Sequence, residues 1–297
     1  MSKNGYYREA PMATPRTDPF RTDLARLGLQ EDPFQLSADP RFLYLGEEHQ
    51  EVYKTIQAVI IKRRGLALVT GKPGTGKSSL ARYTYDRLFG RDGIDVAYID
   101  TSNFDTRAAA ARKIATSFNT LNIELGRSYS DQMENFKLQV VQANKQGHLV
   151  VLLLDDAQKL KRPHLEMLHE MYNFDYGEKA ITVIAFGEDA AVKNFYRYPS
   201  ISSRLYTIQS LNPVSYETTL QMVGFRLQVA GRSTPLFTED ALRRLYELST
   251  GVPREIVIVG AMAIDRLVDT GGNSVDIALM SLVADDYLEI RSQRLSQ

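Results

Sequence analysis

The 297-residue chain has no cysteine and no tryptophan. Without cysteine, disulfides and thiolate metal centres are excluded, and a reducing compartment fits the composition. Histidine is scarce as well. Of the four present, His164 and His169 lie five apart, a spacing that does not set two ligands on one helical face. A histidine-built metal site is therefore not expected. Net charge of either sign is missing, because 36 Lys and Arg balance 36 Asp and Glu. A protein that coats nucleic acid by charge alone carries a basic excess, so any such contact here is local or shared among subunits. Long apolar runs are missing too. The longest uninterrupted one is Leu149 to Leu154, far below the ~20 residues that cross a bilayer. The stretch Ile256 to Ile264 is interrupted by Gly260 and ends at Asp265. The N-terminus lacks an apolar signal core. The expectation is a cytoplasmic protein with no membrane span.

What is present is ordinary globular composition, 43% hydrophobic and 24% charged, in a length that suits one large α/β domain and a smaller appended one. Residues 1–22 carry Pro11, Pro15 and Pro19 among polar residues without periodicity. They read as a flexible N-terminal arm, either a loose tail or a docking arm for a neighbouring subunit.

Periodicity then sets in. Val52, Ile56, Val59 and Ile60 predict a helix over Glu47 to Arg64. Leu66 to Val69 is an apolar run that suits a buried parallel strand, and a glycine-rich turn leads to a helix from Lys77 to Phe89. Further strands are expected at Ile94–Ile99, Leu149–Leu154, Ile181–Phe186 and Arg204–Gln209. Helices are expected at Asp105–Leu121, from a Ser128/Asp131 capping box to Gln146, and at Pro163–Phe174. This alternation implies a parallel five-stranded sheet between helices, over 23–212. Beyond Pro213 the strand signal stops. Ser215 and Thr238 are N-caps, Pro253 opens a third helix and Val275–Ile290 forms a fourth, giving an all-helical domain at 213–297.

The run Gly71-Lys72-Pro73-Gly74-Thr75-Gly76-Lys77-Ser78 matches the phosphate-loop pattern in full, and Ser79 follows it. Its glycines let consecutive backbone N–H groups wrap a phosphate, and the helix that starts at Lys77 adds the positive end of its dipole. Lys77 is placed for the β and γ phosphates and the Ser78 hydroxyl for Mg²⁺. Downstream, Leu152-Leu153-Leu154-Asp155-Asp156 carries two carboxylates to the C-terminal end of an apolar strand, where ligands bind in parallel sheets. Asp155 reads as the Mg²⁺ carboxylate and Asp156 as the group that orients or deprotonates the attacking water. ATP and Mg²⁺ are the expected cofactors, with ATP hydrolysis as the reaction.

Several short segments share an order with a known family. Gly28-Leu29-Gln30-Glu31-Asp32-Pro33-Phe34 and Asp39-Pro40-Arg41-Phe42-Leu43-Tyr44-Leu45 precede the loop; Asp155-Asp156-Ala157-Gln158, Leu211-Asn212-Pro213, Ala230-Gly231, Leu236-Phe237-Thr238 and Gly251-Val252-Pro253-Arg254 follow it. Over about residues 24–290 the chain resembles the ExeA-type secretion ATPases of the AAA+ superfamily. The transposition regulators of the TnsC and MuB type share that module. The resemblance implies a P-loop AAA+ module followed by a small all-helical lid domain. It implies that Arg204 is an arginine finger reaching a neighbouring subunit's γ-phosphate, and that Arg254 is a lid arginine on the γ-phosphate of its own subunit. The segment Arg41 to Leu45, Tyr44 included, would line the adenine pocket, or Phe42 and Tyr44 serve packing alone.

Two departures stand out. The family pattern has glutamate where this chain has Asp156, one methylene or about 1.5 Å shorter, which points to slow hydrolysis. After Ile181–Phe186 only Gly187 and Glu188 stand where a first sensor is expected. The secretion ATPases also carry a membrane span and a wall-binding region after the module, and neither is read in this sequence. The resemblance therefore points to a transposition regulator, a homo-oligomeric ring or helical filament on double-stranded DNA that recruits a transposase with a target-selection protein. The alternatives are an ATP-dependent partner-binding switch and the cytoplasmic ATPase of a secretion assembly. Arg107, Arg112 and Lys113, on the polar side of one helix, are the candidate DNA contacts; a plain solvated face is the other reading.

Overall fold

The computed structural model describes residues 19–36, 39–124, 126–174 and 179–295. Residues 1–18 of the expected arm lie outside them. Its last four residues, read as irregular, begin a short helix, α1 (Pro19–Arg26), because Pro19 sits at a first helical position, where no N–H partner is needed.

Five parallel strands form one sheet: β1 (Leu66–Thr70), β2 (Ile94–Ile99), β3 (Leu149–Leu154), β4 (Thr182–Phe186) and β5 (Leu205–Ser210), in the order β2-β3-β4-β1-β5. The helices that cover it are α2 (Glu47–Ile61), α3 (Lys77–Leu88), α4 (Arg107–Ser117), α5 (Tyr129–Lys145), α6 (Arg162–Tyr172), α7 (Asp189–Tyr196) and α8 (Pro199–Ser202). All five residues of β1 are buried, with Leu66 and Leu68 packed on the face covered by α4 to α7 and Ala67 and Val69 on the face covered by α2 and α3. Burial on both faces is why this strand reads as an unbroken apolar run.

Most helix ends obey local rules. Ser128 and Asp131 form the capping box of α5, and Thr106 caps α4 by accepting from Ala109 N. That cap starts α4 two residues later than the periodicity suggests. Its end comes earlier, because Phe118 leaves helical geometry to pack its ring 5.6 Å from Phe136. Helices α7 and α8, eight and four residues long, are too short for a 3.6-residue period to register.

The lid is formed by α9 (Tyr216–Val229), α10 (Glu239–Ser249), α11 (Pro253–Thr270) and α12 (Ile277–Leu295). Ser215 and Thr238 cap α9 and α10, accepting from Thr218 N and Ala241 N. Leu27, Leu29, Phe34 and Phe42 join the core of these four helices and not that of the sheet. Packing thus groups this early segment with the lid, although the sequence order places it ahead of the sheet.

Gly260 on α11 records that packing. A Cβ built there would stand 2.5 Å from Cδ1 of the Phe34 ring. Gly260→Val is expected to lower stability by about 1–3 kcal/mol, the usual cost of overpacking, with the loss read from thermal unfolding. An unchanged melting temperature would show that Phe34 does not depend on this contact.

Candidate nucleotide-binding site

Parallel pairing brings the C-terminal ends of β1, β3 and β4 to one edge of the sheet, with β4 between the other two. The phosphate loop leaves β1 there, the Asp155-Asp156 pair leaves β3, and Gly187-Glu188 leaves β4 between them. The Gly187 N–H donates to Val69 O at 2.9 Å, which ties the β4 exit to the start of the loop.

The loop is held from within. Thr75 Oγ1 donates to Lys72 O at 2.9 Å, and Lys77 Nζ donates to Gly71 O and Lys72 O at 2.9 and 2.8 Å. Gly76 takes a left-handed conformation, φ 95°, that only glycine adopts freely, and ends the loop where α3 begins. No side chain caps α3, so its first-turn N–H groups remain directed at the cleft. Burial lowers the Lys77 pKa, while Glu188, Asp155, Asp189 and Asp156 act in the opposite direction and favour the charged form.

His49 on α2 supports the loop from behind. Its Nε2 lies 3.0 Å from Thr75 O, and a Cβ on Gly76 would stand 2.6 Å from it. Burial lowers its pKa, so the neutral ring can donate from Nε2 to that carbonyl. The sequence offered no sign of this, since one histidine on a helix has no pattern.

Asp155 is 4% exposed. Burial pushes its carboxyl pKa up, and hydrogen bonds from the Ser78 hydroxyl, Asp156 N and Tyr98 oppose that shift. Asp156 N donates to Oδ1 at 2.8 Å and the Tyr98 hydroxyl to Oδ2 at 3.4 Å. Ser78 and Asp155, 77 positions apart in sequence, therefore meet through their side chains, and two hard oxygen donors side by side suit Mg²⁺. Among the described residues no cluster of three or more His, Cys, Asp or Glu could hold a metal. An ion at Ser78 and Asp155 would complete its shell with oxygens that the chain does not supply. Tyr98, on the strand beside β3, is a neighbour that sequence reading missed.

Asp156 sits at φ 55°, ψ 38°, a left-handed conformation that a non-glycine residue rarely adopts. Its carboxylate is held by neighbours: Gln158 Nε2 donates to Oδ1 at 3.1 Å and Lys159 Nζ to Oδ2 at 2.6 Å. Gln158 also accepts from Glu188 N on Oε1 and from Asn194 Nδ2 on its backbone carbonyl, both at 3.1 Å. One glutamine thus joins the β3 exit, the β4 exit and α7. Glu188, at the expected first-sensor position, is the largest acidic influence on Lys77.

The loop opens into a cavity of about 760 Å³. Ser78, Ser79 and Arg254 line it on the loop side, and Leu43, Tyr44, Val214, Met222 and Val257 are among its lid-side walls. Arg254 N donates to Gly74 O at 3.2 Å, so α11 begins against the loop. Its neighbour Glu255 accepts from the Tyr287 hydroxyl at 2.8 Å, and the exposed Arg254 side chain is left beside the cavity. Tyr44 is fixed by its hydroxyl to Gln221 Oε1 at 2.8 Å.

The remaining expected residues lie elsewhere. Arg204 precedes β5, whose Leu205 pairs with Leu66, so it stands at the sheet edge opposite the loop, about five residues or 16 Å away by strand rise. It cannot serve its own subunit's loop. Its Nη1 donates to Ser200 O at 2.8 Å and its guanidinium lies 5.5 Å from the Tyr172 ring centroid. On α4, Arg107 pairs with Glu170 at 3.0 Å and lies over Tyr129 at 4.0 Å, which commits it to the chain's own packing. Arg112 and Lys113 are exposed, and Lys113 lies 3.3 Å from Asp100.

Residues 60–195 match the AAA domain family. The chain is 29% identical over 271 residues to general secretion pathway protein A of Aeromonas hydrophila, which covers 90% of this chain and 48% of that protein. It is 25% identical over 134 residues to an uncharacterised HTH-type transcriptional regulator of Methanocaldococcus jannaschii, with 43% of this chain and 32% of that one covered. The chain spans less than half the length of either relative. Among solved structures, the Aeropyrum pernix ORC2 protein in ADPNP-ADP complexes matches with a TM-score of 0.62 and 17% identity over 86% of this chain and 71% of that one. The Aeropyrum pernix ORC1 protein in complex with DNA gives 0.60 and 16% over 82% and 66%. The Thermotoga maritima RuvB Holliday junction branch migration motor gives 0.55 and 14% over 81% and 69%. At such identities the likeness concerns the fold: a parallel sheet between helices with a helical region after it.

The Asp156 geometry has a direct consequence. Lys159 holds one carboxylate oxygen and restrains the group expected to act on water. Lys159→Ala is expected to raise ATP turnover severalfold with unchanged nucleotide affinity, and Asp156→Asn to lower turnover with affinity likewise kept, both read as phosphate release. A Lys159→Ala rate at or below wild type would show that the pair does not restrain Asp156.

Proposed function

We propose that the chain is an AAA+ ATPase that binds ATP with Mg²⁺ on the loop Gly71–Ser78, hydrolyses it slowly, and uses the bound state to assemble copies of itself on double-stranded DNA as a regulator of transposition that recruits a transposase; the AAA domain match over residues 60–195 and the likeness of fold support the ATPase part. One observation carries the nucleotide part of this reading: Lys77 and Ser78 line a cavity large enough for a nucleotide, and the Asp155 carboxylate lies beside Ser78.

In this reading the loop amides and Lys77 hold the phosphates. Ser78 and Asp155 would hold Mg²⁺, whose charge neutralises that of the β and γ phosphates when bound. Asp156 takes or orients the proton of the attacking water. Arg254, beside the cavity on α11, senses the γ-phosphate for the lid. Arg204 acts on the next subunit, and its distance from its own loop supports that role. On the DNA side, Arg112 and Lys113 are exposed on α4 and would contact backbone phosphates, repeated once per subunit. The match to folds of proteins that act on DNA supports the same direction.

A second reading has its own support. Identity with general secretion pathway protein A runs over 90% of this chain, which favours an ATPase that works with a separate membrane protein in secretion. Among the described residues no helix is long and apolar enough to cross a membrane.

Lys77→Ala is expected to weaken ATP binding by about tenfold to a hundredfold, since a charge-assisted contact of this kind is worth about 1.5–3 kcal/mol. Isothermal titration checks it, and unchanged affinity in that variant would reject the loop as the site.

Assembly supplies another test. If Arg204 reaches a neighbour's γ-phosphate, ATP or a non-hydrolysable analogue should give larger species than ADP in sedimentation, and Arg204→Ala should remove the difference. Duplex DNA should promote that assembly with ATP. Identical profiles in all nucleotide states would count against the subunit arrangement, and assembly indifferent to DNA would favour the secretion reading.

A further inference from the structure

Arg226, in the last turn of α9, is only 6% exposed. Among the described residues no carboxylate pairs with it. It is held instead by backbone: Nε donates to Pro33 O at 2.7 Å, Nη1 to Phe42 O at 3.0 Å and Nη2 to Gln35 O at 3.1 Å. Its guanidinium lies 5.1 Å from the Phe42 ring centroid and 6.0 Å from that of Phe34. Burial lowers its pKa to about 10, with Asp32 and Asp39 acting the other way, so it stays charged at neutral pH.

An apolar replacement would strand those three carbonyls, so the arginine serves stability as well as position. What arginine offers is a rigid fork of five donors, able to hold several carbonyls of an irregular segment at once. That segment is not a bystander. Residues 33–36 and 39–44 supply Gln35, Asp39, Leu43 and Tyr44 to the wall of the nucleotide cleft. Helix α9 supplies Thr218 and Met222 to the same cleft and holds Tyr44 through Gln221 and the Phe225 ring. The phosphate loop belongs to the sheet. The cleft therefore has a phosphate side fixed to the sheet and a far side fixed to the lid.

At the junction of the two, Glu48 of α2 accepts from Ser215 N at 2.8 Å and from Thr218 Oγ1 at 3.2 Å. This contact joins the sheet side to the first turn of α9, and Arg226 sits beyond it on the lid side.

We infer that Arg226 is a positioning residue for nucleotide recognition: it locks the wall formed by residues 33–36 and 39–44 to α9, so that the surface receiving the base travels with the lid and a bound base sets the lid's position. This rests on the reading of the cleft as an ATP site.

The test compares ATP with inorganic tripolyphosphate, each with Mg²⁺, on the full chain. Tripolyphosphate engages the loop and has no base. In Arg226→Lys, which keeps the charge and loses the fork, and in Arg226→Met, which loses both, ATP affinity should fall by at least about tenfold while tripolyphosphate stays within about twofold of wild type. The preference for ATP over GTP should shrink in parallel. Equal losses for both ligands, or no loss for either, would overturn the inference. If both variants fail to fold by circular dichroism, amide exchange on the wild type decides. Residues 39–44 and 216–229 should slow together with ATP and stay unchanged with tripolyphosphate, and an independent response of the two would overturn it. A wild-type chain that binds neither ligand would reject the ATP reading itself.

Discussion

A carboxylate buried at the end of a strand is the constraint around which the site is arranged. Asp155 leaves β3 into a setting that disfavours its charge, and an isolated ion there would cost several kcal/mol. The surroundings answer with donors from three separate pieces of chain: Ser78 from the start of α3, Tyr98 from β2, and Asp156 N from the next residue. Each comes from the same edge of the sheet. They can meet only because the order β2-β3-β4-β1-β5 sets β2 beside β3 and brings the loop after β1 within reach across β4. In the proposed reading the same arrangement serves Mg²⁺: a carboxylate held by modest donors would give up little if a divalent cation took their place, whereas one clamped by arginine would give up much.

Legibility in the sequence follows the range of the interactions. The phosphate loop could be read because its chemistry is written in eight consecutive residues, and the strands because burial on both faces leaves unbroken apolar runs such as Leu149–Leu154. Caps at Ser128, Ser215 and Thr238 act over three residues and were readable for that reason. His49, Tyr98 and Arg226 were not. Each matters through partners 26 to 193 residues away, and such contacts leave no local pattern. The order of elements also misled about packing, since Leu27 to Phe42 precede the sheet and yet complete the lid core. An apolar residue in sequence says that it will be buried, and not against what.

That early segment gives the lid its connection to the cleft. Four helices alone could pack on one another and remain indifferent to nucleotide. With Phe34 and Phe42 built into their core, the lid carries the wall that includes Tyr44, and with Arg254 N on Gly74 O it also touches the loop. The two contacts differ in kind. Packing in the core is short-ranged and fixed, while a single backbone hydrogen bond is worth about 1 kcal/mol and can be exchanged. A lid attached firmly to the wall that includes Tyr44 and weakly to the loop can shift its loop contact while keeping that wall.

The same contrast between firm and exchangeable contacts applies at Asp156. A side chain one methylene shorter than glutamate cannot be extended, so its reach is set by the backbone. The backbone here adopts the left-handed conformation, a strain of order 1–2 kcal/mol for a residue with a Cβ. Strain of that size persists only where the surroundings over-determine the geometry, and Gln158 does so by joining Asp156, Glu188 N and Asn194. The oxygen that Gln158 holds is therefore anchored to three elements. The other is held by Lys159, an exposed side chain on flexible methylenes. Of the two restraints only the lysine can leave without disturbing the turn. In the proposed reading, where Asp156 acts on water, release of Lys159 would then matter more to that oxygen's availability than the length of aspartate.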